Sequence, residues 1–248
     1  MIGIIGYGRF SQLMARYLAR DFTVYVYKRA GGPDLNADPN IIFAPLVDVC
    51  RQKFVIPAVP ISAFGSVLSQ IAPLLSEHAV VADVCSVKEY PVGLMKNLLP
   101  PKISIVASHP MFGPDSAAKS LSGCKIVLCP TRIRARRFAQ LKAYLKNLGL
   151  EVIETTAEEH DRQIAVSLSL THFIGRSLSK FGATPLAIDT EGYKRLLHIL
   201  EVVENDTWQL FEDMHRYNPY AAQSRSEFQQ AMQRIEAKLS RNKGIAAS

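Results

Sequence analysis

The sequence predicts an α/β protein, with a doubly wound, mostly parallel sheet followed by a smaller all-helical domain. Short apolar segments rich in valine and isoleucine alternate with helical segments as far as about residue 155. Strands joined by crossover helices produce this alternation. From Thr156 onward the sequence pattern predicts helices and no convincing strand. We therefore predict two domains, residues 1–155 and 156–248.

Each strand is predicted from a short apolar run bounded by turn residues. In chain order, the predicted strands are the opening MIGII, Thr23 to Arg29, a short one near Ile41, Lys53 to Pro60, Ala79 to Val87, Ile103 to Ser108, Cys124 to Pro130 and residues 150–156. Helices are predicted after the first strand, from the end of the Lys53 to Pro60 strand through Leu75, and from the end of the Cys124 to Pro130 strand to about Leu148. Thr156 and Glu159 have the spacing of a capping box, and the long helix that they open ends at Gly182.

The charge balance suits an anionic partner, and no nucleic-acid motif accompanies it. The 248 residues are 48% hydrophobic and 21% charged, which is ordinary for a globular protein, and the formal net charge is +7. A basic balance alone does not separate nucleic acid from phosphorylated cofactors or carboxylates. The densest basic run, RIRARR at Arg132 to Arg137, is interpreted as a solvated helix face. We expect a small-molecule substrate and no nucleic-acid partner.

Cysteine spacing and apolar runs bear on location. The four cysteines show no C-x-x-C pair and no metal-ligand spacing, which is typical of reduced thiols in a cytoplasmic protein. No basic leader precedes the first strand. The uncharged run from Phe54 to Ser76 is long enough to span a bilayer, but it contains three prolines. We interpret it as strand, turn and helix, and expect a cytoplasmic protein without a membrane partner.

The first loop carries a dinucleotide-binding motif. Gly6, Gly8 and Ser11 occupy the positions of G-x-G-x-x-G, with serine in place of the last glycine. The motif follows a strand and opens a helix, as in a Rossmann-type domain. Glycines let the backbone approach a pyrophosphate at the helix N-terminus. The alternative is a tight turn without a ligand. Tyr7, Arg9 and Phe10 belong to the same predicted site.

The end of the second strand favours NADP. An acidic residue there binds the ribose of NAD, but this strand ends in Lys28 and Arg29. Two cations suit a 2′-phosphate. The alternative is that they only flank a loop, and NAD remains possible as the cofactor. Val59 and Pro60, at the end of a neighbouring predicted strand, complete the predicted cofactor site.

Polar residues that follow other strands form a candidate chemical site, since ligands bind at the carboxyl ends of such sheets. They are Ser86 and Lys88 in DVCSVK, His109 in SHPMFGP, and Asp115. A histidine in a loop closed by prolines is either a catalyst or a surface residue.

Two histidines lie on the first long helix of the second domain. His160, Ile164, Leu168 and His172 are four residues apart, so they share one face of the helix. From the residues alone, His172 is a core histidine, and His160 is structural or exposed.

The chain resembles the prephenate/arogenate dehydrogenases of tyrosine biosynthesis. The resemblance depends on GYGRFSQLMA, DVCSVK, SHPMFGP, LTHFIG and the later EGYKRLL, VENDTWQLF and YN, which come in the family's order. It implies oxidative decarboxylation of a cyclohexadiene that carries a hydroxyl and a ring carboxylate. Prephenate and arogenate both remain open as substrates.

The resemblance also implies residue roles. His109 is the general base that takes the hydroxyl proton. Ser86 hydrogen-bonds that histidine or the hydroxyl. His172 comes from the helical domain and binds the substrate across the cleft. Lys88 binds a carboxylate or forms a salt bridge with Asp83 or Glu89.

One position departs from the family. Several members place a substrate-binding arginine where this chain has His198, with Lys194, Arg195 and Arg176 near it in sequence. We keep His198 in the predicted substrate site, although a neutral histidine does not reproduce a bidentate guanidinium. The resemblance further implies a homodimer through the helical domain. Two alternatives stay open: another Rossmann-plus-helical dehydrogenase, of the β-hydroxyacid or imine reductase type, and a non-enzymatic NADP-sensing module.

Overall fold

The computed structural model describes residues 1–29 and 38–242. In this part of the chain, one eight-stranded sheet has the order β3-β2-β1-β4-β5-β6-β7-β8. Its strands are β1 (Ile2–Ile5), β2 (Val24–Tyr27), β3 (Ile41–Phe43), β4 (Phe54–Pro57), β5 (Val80–Asp83), β6 (Ser104–Pro110), β7 (Lys125–Arg132) and β8 (Glu151–Glu154). Every neighbouring pair is parallel except β6 and β7. The predicted doubly wound, mostly parallel sheet is therefore confirmed.

The helices alternate with the strands as predicted, except that the described chain has no helix between β6 and β7. They are α1 (Arg9–Leu18), α2 (Leu46–Cys50), α3 (Ile61–Ile71), α4 (Glu89–Leu98), α5 (Ala135–Asn147), α6 (Ala157–Ile164), α7 (Thr171–Phe181), α8 (Glu191–Glu204), α9 (Trp208–Tyr217) and α10 (Ala221–Asn242). Short 3₁₀ and π-helical turns occupy Ala72–Leu74 and Ala165–Leu170. Across the described ranges, every helix is too short or too polar to cross a membrane.

The chain divides into two compact units, Met1–His160 and a second that begins at Asp161. The first contains the whole sheet, and the second is built from helices. The assignment of a cofactor domain and a substrate domain, divided near residue 155, stays a prediction.

The core of the first unit explains why its strands are apolar. Ile4, Val24 and Val26 of β1 and β2 are fully buried and cluster with Ala15 of α1. A second cluster joins the later strands to α1 and α5, and Phe138 is its contribution from α5. Because side chains alternate along a strand and helices cover the sheet, these strands contain few polar residues.

Capping signals locate the helical segment that begins the second domain of the prediction. The Thr156 Oγ1 accepts the backbone N–H of Glu159 at 3.1 Å, as the predicted capping box requires. Gly182 adopts φ +83° and ends α7, which confirms the predicted C-terminus. The segment differs from prediction in its middle, where a π-helical turn separates α6 from α7.

The basic run RIRARR is not a solvated helix face throughout. Arg132 is the last residue of β7, and α5 begins only at Ala135. The Arg132 guanidinium donates to the carbonyls of Ile103 and Leu99. Part of the run therefore fixes the edge of the neighbouring strand.

Candidate active site

The glycine loop lies at the end of β1, where the strand order changes direction. Gly6 has φ +99°, and a Cβ at this position would lie 2.3 Å from the Ala58 carbonyl oxygen. Only glycine satisfies both conditions. Gly8 precedes the first residue of α1, and a Cβ added there meets no atom within 4 Å. The loop therefore presents open backbone at a helix N-terminus, which suits a pyrophosphate.

The neighbouring strand ends supply the other predicted cofactor residues. Tyr7 packs edge-on against Phe43, and Lys28 Nζ lies 4.6 Å from the centre of the Phe43 ring. A Val59 methyl lies 3.3 Å from the position of a Gly6 Cβ, and Pro60 precedes the first residue of α3. The structure thus brings the ends of β1, β2 and β4 together. Arg29 is exposed beside them.

Two contacts join the glycine loop to the segment that follows β6. Arg9 forms an exposed ion pair with Asp115 at 2.8 Å. Phe10 stacks at a tilt on Phe112 of the SHPMFGP motif, with ring centres 6.1 Å apart. The predicted cofactor loop and the predicted catalytic motif are therefore neighbours within the first unit.

His109 belongs to strand β6, and the predicted loop position is wrong. It pairs with Val127 across the antiparallel ladder between β6 and β7. The residue is only 6% exposed. Its Nδ1 lies 2.9 Å from Nε2 of His160, and the two rings meet at 70°.

His160 is the residue that sequence reasoning missed. It is 3% exposed, so of the two predicted alternatives the exposed one is wrong. A signal was present, because His160 shares its helix face with His172 at multiples of four residues. A buried histidine on that face needs a hydrogen-bond partner.

A buried ion pair fixes the strand next to His109. Lys88 and Asp83 are fully buried and form an ion pair. The same ammonium donates to the carbonyl of Ser108, and the Ser108 backbone N–H donates to Asp83 Oδ1 at 3.1 Å. These bonds tie the ends of β5 and β6 together and hold the backbone next to His109.

The surroundings of His109 disfavour its protonation. Burial, followed by the nearby His160 and the Lys88 ammonium, lowers the pKa of His109 well below its usual value. The imidazole is therefore neutral at physiological pH. A neutral imidazole with one unused ring nitrogen is the form that acts as a general base.

The contacts of Ser86 and Lys88 differ from those predicted for catalysis and substrate binding. Within the described residues, the buried Ser86 hydroxyl has no hydrogen-bond partner, so the predicted bond to His109 is absent. His160 occupies the His109 Nδ1 instead. Lys88 forms the predicted alternative, the salt bridge with Asp83. Its complete burial argues against the predicted contact between Lys88 and a substrate.

The second unit contains a separate cluster of basic side chains. His172 is 4% exposed, and its Nε2 lies 3.7 Å from an oxygen of Asp206. Arg176, one helical turn later on α7, donates to the Asp206 backbone carbonyl. In the described ranges, His172 Nδ1 and Arg176 Nε are buried without a hydrogen-bond partner.

His215 extends this cluster. Its Nδ1 accepts from the Arg225 guanidinium at 2.6 Å, while its buried Nε2 has no partner among the described residues. Burial, then Arg225, then His172 lower the pKa of His215 to about 4. For His172, burial is the main cause of a lowered pKa, and Asp206 partly opposes it.

His198 does not join these residues. Its side chain is 75% exposed and lies 3.7 Å from Glu201, one turn along α8. The structure gives it no buried partner, so the predicted substrate contact at His198 has no support from this geometry.

Comparisons with known proteins agree with the motifs. A family model described as "Prephenate dehydrogenase, nucleotide-binding domain" matches residues 16–154. A second, described as "TYRAAT1-like, C-terminal domain", matches residues 177–246. Arogenate dehydrogenase 2, chloroplastic, of Arabidopsis thaliana is 31% identical over 96% of this chain and 69% of its own length. Arogenate dehydrogenase 1, chloroplastic, of the same plant is 30% identical over 96% of this chain, which spans 39% of that relative.

Solved structures show the same fold. Prephenate dehydrogenase from A. aeolicus, in complex with hydroxyphenyl propionate and NAD+, has a TM-score of 0.74 at 20% identity, covering 97% of this chain and 91% of its own. Synechocystis arogenate dehydrogenase has a TM-score of 0.70 at 20% identity, covering 98% and 92%. The plant relatives are named as chloroplastic, and the cytoplasmic location stays a prediction. The family model and the curated relatives together show that the chain belongs to the prephenate/arogenate dehydrogenase family of oxidoreductases.

Proposed function

We propose that this protein catalyses the NADP-dependent oxidative decarboxylation of arogenate or prephenate. The observation that carries the proposal is the buried, neutral His109, held at the end of β6, after which Phe112 contacts Phe10 of the glycine loop. We favour arogenate, because two relatives that match 96% of the chain are named arogenate dehydrogenases.

His109 supplies the acid–base chemistry of the proposed reaction. It takes the proton of the ring hydroxyl as the carbonyl forms, which pushes a hydride away from the same carbon. A bound nicotinamide supplies the hydride acceptor. The electron pair of the bond to the ring carboxylate then enters the ring as carbon dioxide leaves. His109 returns its proton to the resulting phenolate oxygen. The Ser86 hydroxyl, buried without a partner among the described residues, donates to the developing oxyanion.

His172 and Arg176 bind a substrate carboxylate in this proposal. They are one helical turn apart on α7, and each has a buried nitrogen without a partner in the described part of the chain. Buried nitrogens of this kind are costly unless a ligand completes their hydrogen bonds. Arg176 supplies the permanent cation that His198 does not provide.

The test of the reaction is an assay with purified protein. Arogenate and prephenate are each supplied with NADP and with NAD, and the reduced cofactor is followed by absorbance. We expect turnover of at least one substrate, with arogenate and NADP as the better pair. The His109→Asn variant is expected to lose about 10²- to 10⁴-fold in kcat, the usual contribution of a general base. Turnover of neither substrate by the wild-type protein contradicts the proposal.

The preference for NADP depends on Lys28 and Arg29 in this proposal. Reversing the charge in Arg29→Glu is expected to lower kcat/KM with NADP about 10- to 100-fold, the value of a charge-assisted hydrogen bond. The value with NAD changes much less. Arg16→Glu, on an exposed position of α1, is the matched control. Equal losses with the two cofactors contradict the NADP assignment.

We also propose that the second unit forms a homodimer. It exposes several large apolar side chains that a monomer leaves in water, among them Phe181 and Ile188 at 83% and 93% exposure. On α10, Met232, Ile235 and Leu239 form a stripe at helical spacing, each more than half exposed. Sedimentation is expected to show a dimer at micromolar concentration, and Ile235→Glu is expected to weaken it. A wild-type protein that sediments only as a monomer contradicts this assignment.

A further inference from the structure

The contact between His109 and His160 constrains where their protons lie. Both rings are buried, and the two nitrogens that meet, His109 Nδ1 and His160 Nε2, are 2.9 Å apart. At this distance one nitrogen carries a proton and the other accepts it. The contact therefore couples the two tautomers, since the shared proton lies either on His109 Nδ1 or on His160 Nε2.

We propose that His160 is a positioning residue whose Nε2 accepts the hydrogen bond of His109 Nδ1–H. The inference rests on the proposed function, in which His109 removes a proton. Because His160 occupies Nδ1, only Nε2 of His109 is left for the substrate. Nε2 acts as a base only when it is unprotonated, so the proton of neutral His109 lies on Nδ1.

His160 therefore performs the orienting role that a carboxylate performs in a Ser-His-Asp triad, but without a negative charge. A carboxylate in this place would favour imidazolium and raise the pKa of His109. The titratable groups that act on His109 from its surroundings are His160 on α6 and Lys88 before α4, and both lower its pKa. Asp83 on β5 is paired with the Lys88 ammonium. His109 thus stays a free base at neutral and mildly acidic pH.

The contacts of the backbone fix the position of His109 but not the orientation of its ring. Ser108, the residue before His109, is held by hydrogen bonds to Lys88 and Asp83. The strand therefore determines the position of the His109 Cα. Ring orientation about the side-chain bonds still has to be set. The Ser86 hydroxyl makes no hydrogen bond to the ring, and His160 is the partner that the structure provides.

The first test needs no activity. The protein has six histidines, so two-dimensional NMR of ¹⁵N-histidine-labelled full-length protein resolves each ring and its tautomer. His160→Gln and His109→Asn serve to assign the two signals. At pH 7 we expect His109 to carry its proton on Nδ1. A wild-type His109 protonated on Nε2, or one that titrates near the usual value for histidine, overturns the proposal.

The second test compares two substitutions at His160. Gln places an amide oxygen where His160 Nε2 accepts the hydrogen bond from His109 Nδ1–H. Leu has a similar size but no acceptor. We expect His160→Leu to lose about 10²-fold in kcat, at the lower end of what a general base contributes, with the KM for NADP unchanged. His160→Gln is expected to keep the Nδ1–H tautomer of His109 and to stay within about tenfold of the wild-type kcat. His78→Asn, an exposed histidine whose positive φ asparagine tolerates, is the matched control.

The outcomes separate this inference from the proposed function. Equal kcat losses in His160→Gln and His160→Leu, or no loss in His160→Leu, overturn the positioning role. If His160→Leu does not fold, the tautomer of the wild-type protein and of His160→Gln decides. If the wild-type protein turns over neither substrate, the proposed function fails, while the NMR result still decides the hydrogen bond.

Discussion

The two units treat their buried polar groups in different ways. In the first unit, Asp83, Lys88 and Ser108 form a closed set of hydrogen bonds in which the buried charges are paired. In the second unit, His172 and His215 each keep one buried nitrogen without a partner among the described residues. Similar burial therefore comes with complete hydrogen bonding around Asp83 and Lys88 and with incomplete hydrogen bonding around His172 and His215.

From this difference we expect the fully hydrogen-bonded groups to contribute to stability and the incompletely bonded groups to contribute to ligand binding. Removing one partner of a buried ion pair leaves an isolated buried charge, which destabilises the fold strongly. An unsatisfied buried group costs about 1–3 kcal/mol and is retained where a ligand completes it. Ser86 shows the same feature in the first unit, since its hydroxyl is also buried without a partner in the described part of the chain. It is also the hydroxyl that the proposed chemistry uses.

The largest expected effect comes from breaking the network of the first unit. Lys88→Met leaves the Asp83 carboxylate buried and unpaired, so we expect the free energy of unfolding to fall by about 3–5 kcal/mol. Urea denaturation followed by circular dichroism measures the change. The Asp83→Asn/Lys88→Met double variant removes both charges and is expected to recover part of it.

Lys194→Gln is the control for this prediction, because its ion pair with Glu191 is exposed. Such pairs contribute at most about 1 kcal/mol. If Lys88→Met and Lys194→Gln cost the same, the buried network does not hold the first unit together in the way proposed.

Substitutions at the two glycines of the loop are expected to affect different properties, stability at Gly6 and cofactor binding at Gly8. Gly6→Ala places a methyl group against the Ala58 carbonyl at a positive φ, so we expect it to cost at least about 1–3 kcal/mol in unfolding free energy. Gly8→Ala meets no atom, so it costs less than about 1 kcal/mol. It is nevertheless expected to weaken NADP binding, measured by calorimetry, because the pyrophosphate approaches there. Unchanged NADP affinity in a folded Gly8→Ala variant contradicts the proposed cofactor position.

Much of the fold could be predicted because it is encoded locally. The apolar strands, the glycine loop after β1 and the helix stop at Gly182 each depend on a few neighbouring residues. The antiparallel pairing of β6 with β7 and the π-helical turn before α7 carry no such local signal. They result from tertiary packing, which periodicity does not report.

The site was predictable as a set of residues but not as a set of contacts. His109 and Ser86 are identified by motif, whereas the partner of His109 is 51 positions away in the chain. No spacing rule joins β6 to α6. The same holds for His215 and Arg225, which the sequence did not single out and which the packing of the helical unit brings together.

Removing an incompletely bonded group from the second unit is expected to affect binding rather than stability. His172→Leu loses one long contact with Asp206 and also an unsatisfied nitrogen, so unfolding free energy changes by less than about 1 kcal/mol. The KM for the substrate is expected to rise about tenfold, the effect of one lost hydrogen bond. Steady-state kinetics and urea denaturation measure the two effects. A His172→Leu variant that is strongly destabilised but binds substrate normally contradicts the assignment of His172 to binding rather than stability.

The smallest expected effect is on the pH dependence of stability, and His215 is its clearest source. Its Nδ1 faces the Arg225 guanidinium, so protonation there removes an accepted hydrogen bond and places two cations together. The pKa of His215 is about 4 in the folded protein, against about 6.5 when the chain is unfolded. Between these values the unfolded chain binds more protons, so stability increases with pH and is lost as the pH falls from 6.5 towards 4.

We therefore expect the melting temperature to decrease between pH 7.5 and pH 4.5, and to decrease less in His215→Gln. Calorimetry at several pH values measures both slopes. His198→Gln, at an exposed position, is expected to keep the wild-type slope. His109 and His172 also have lowered pKa values, so the slope of His215→Gln stays positive. A His215→Gln slope equal to that of the wild type means that Arg225 and His215 do not form this buried contact in solution.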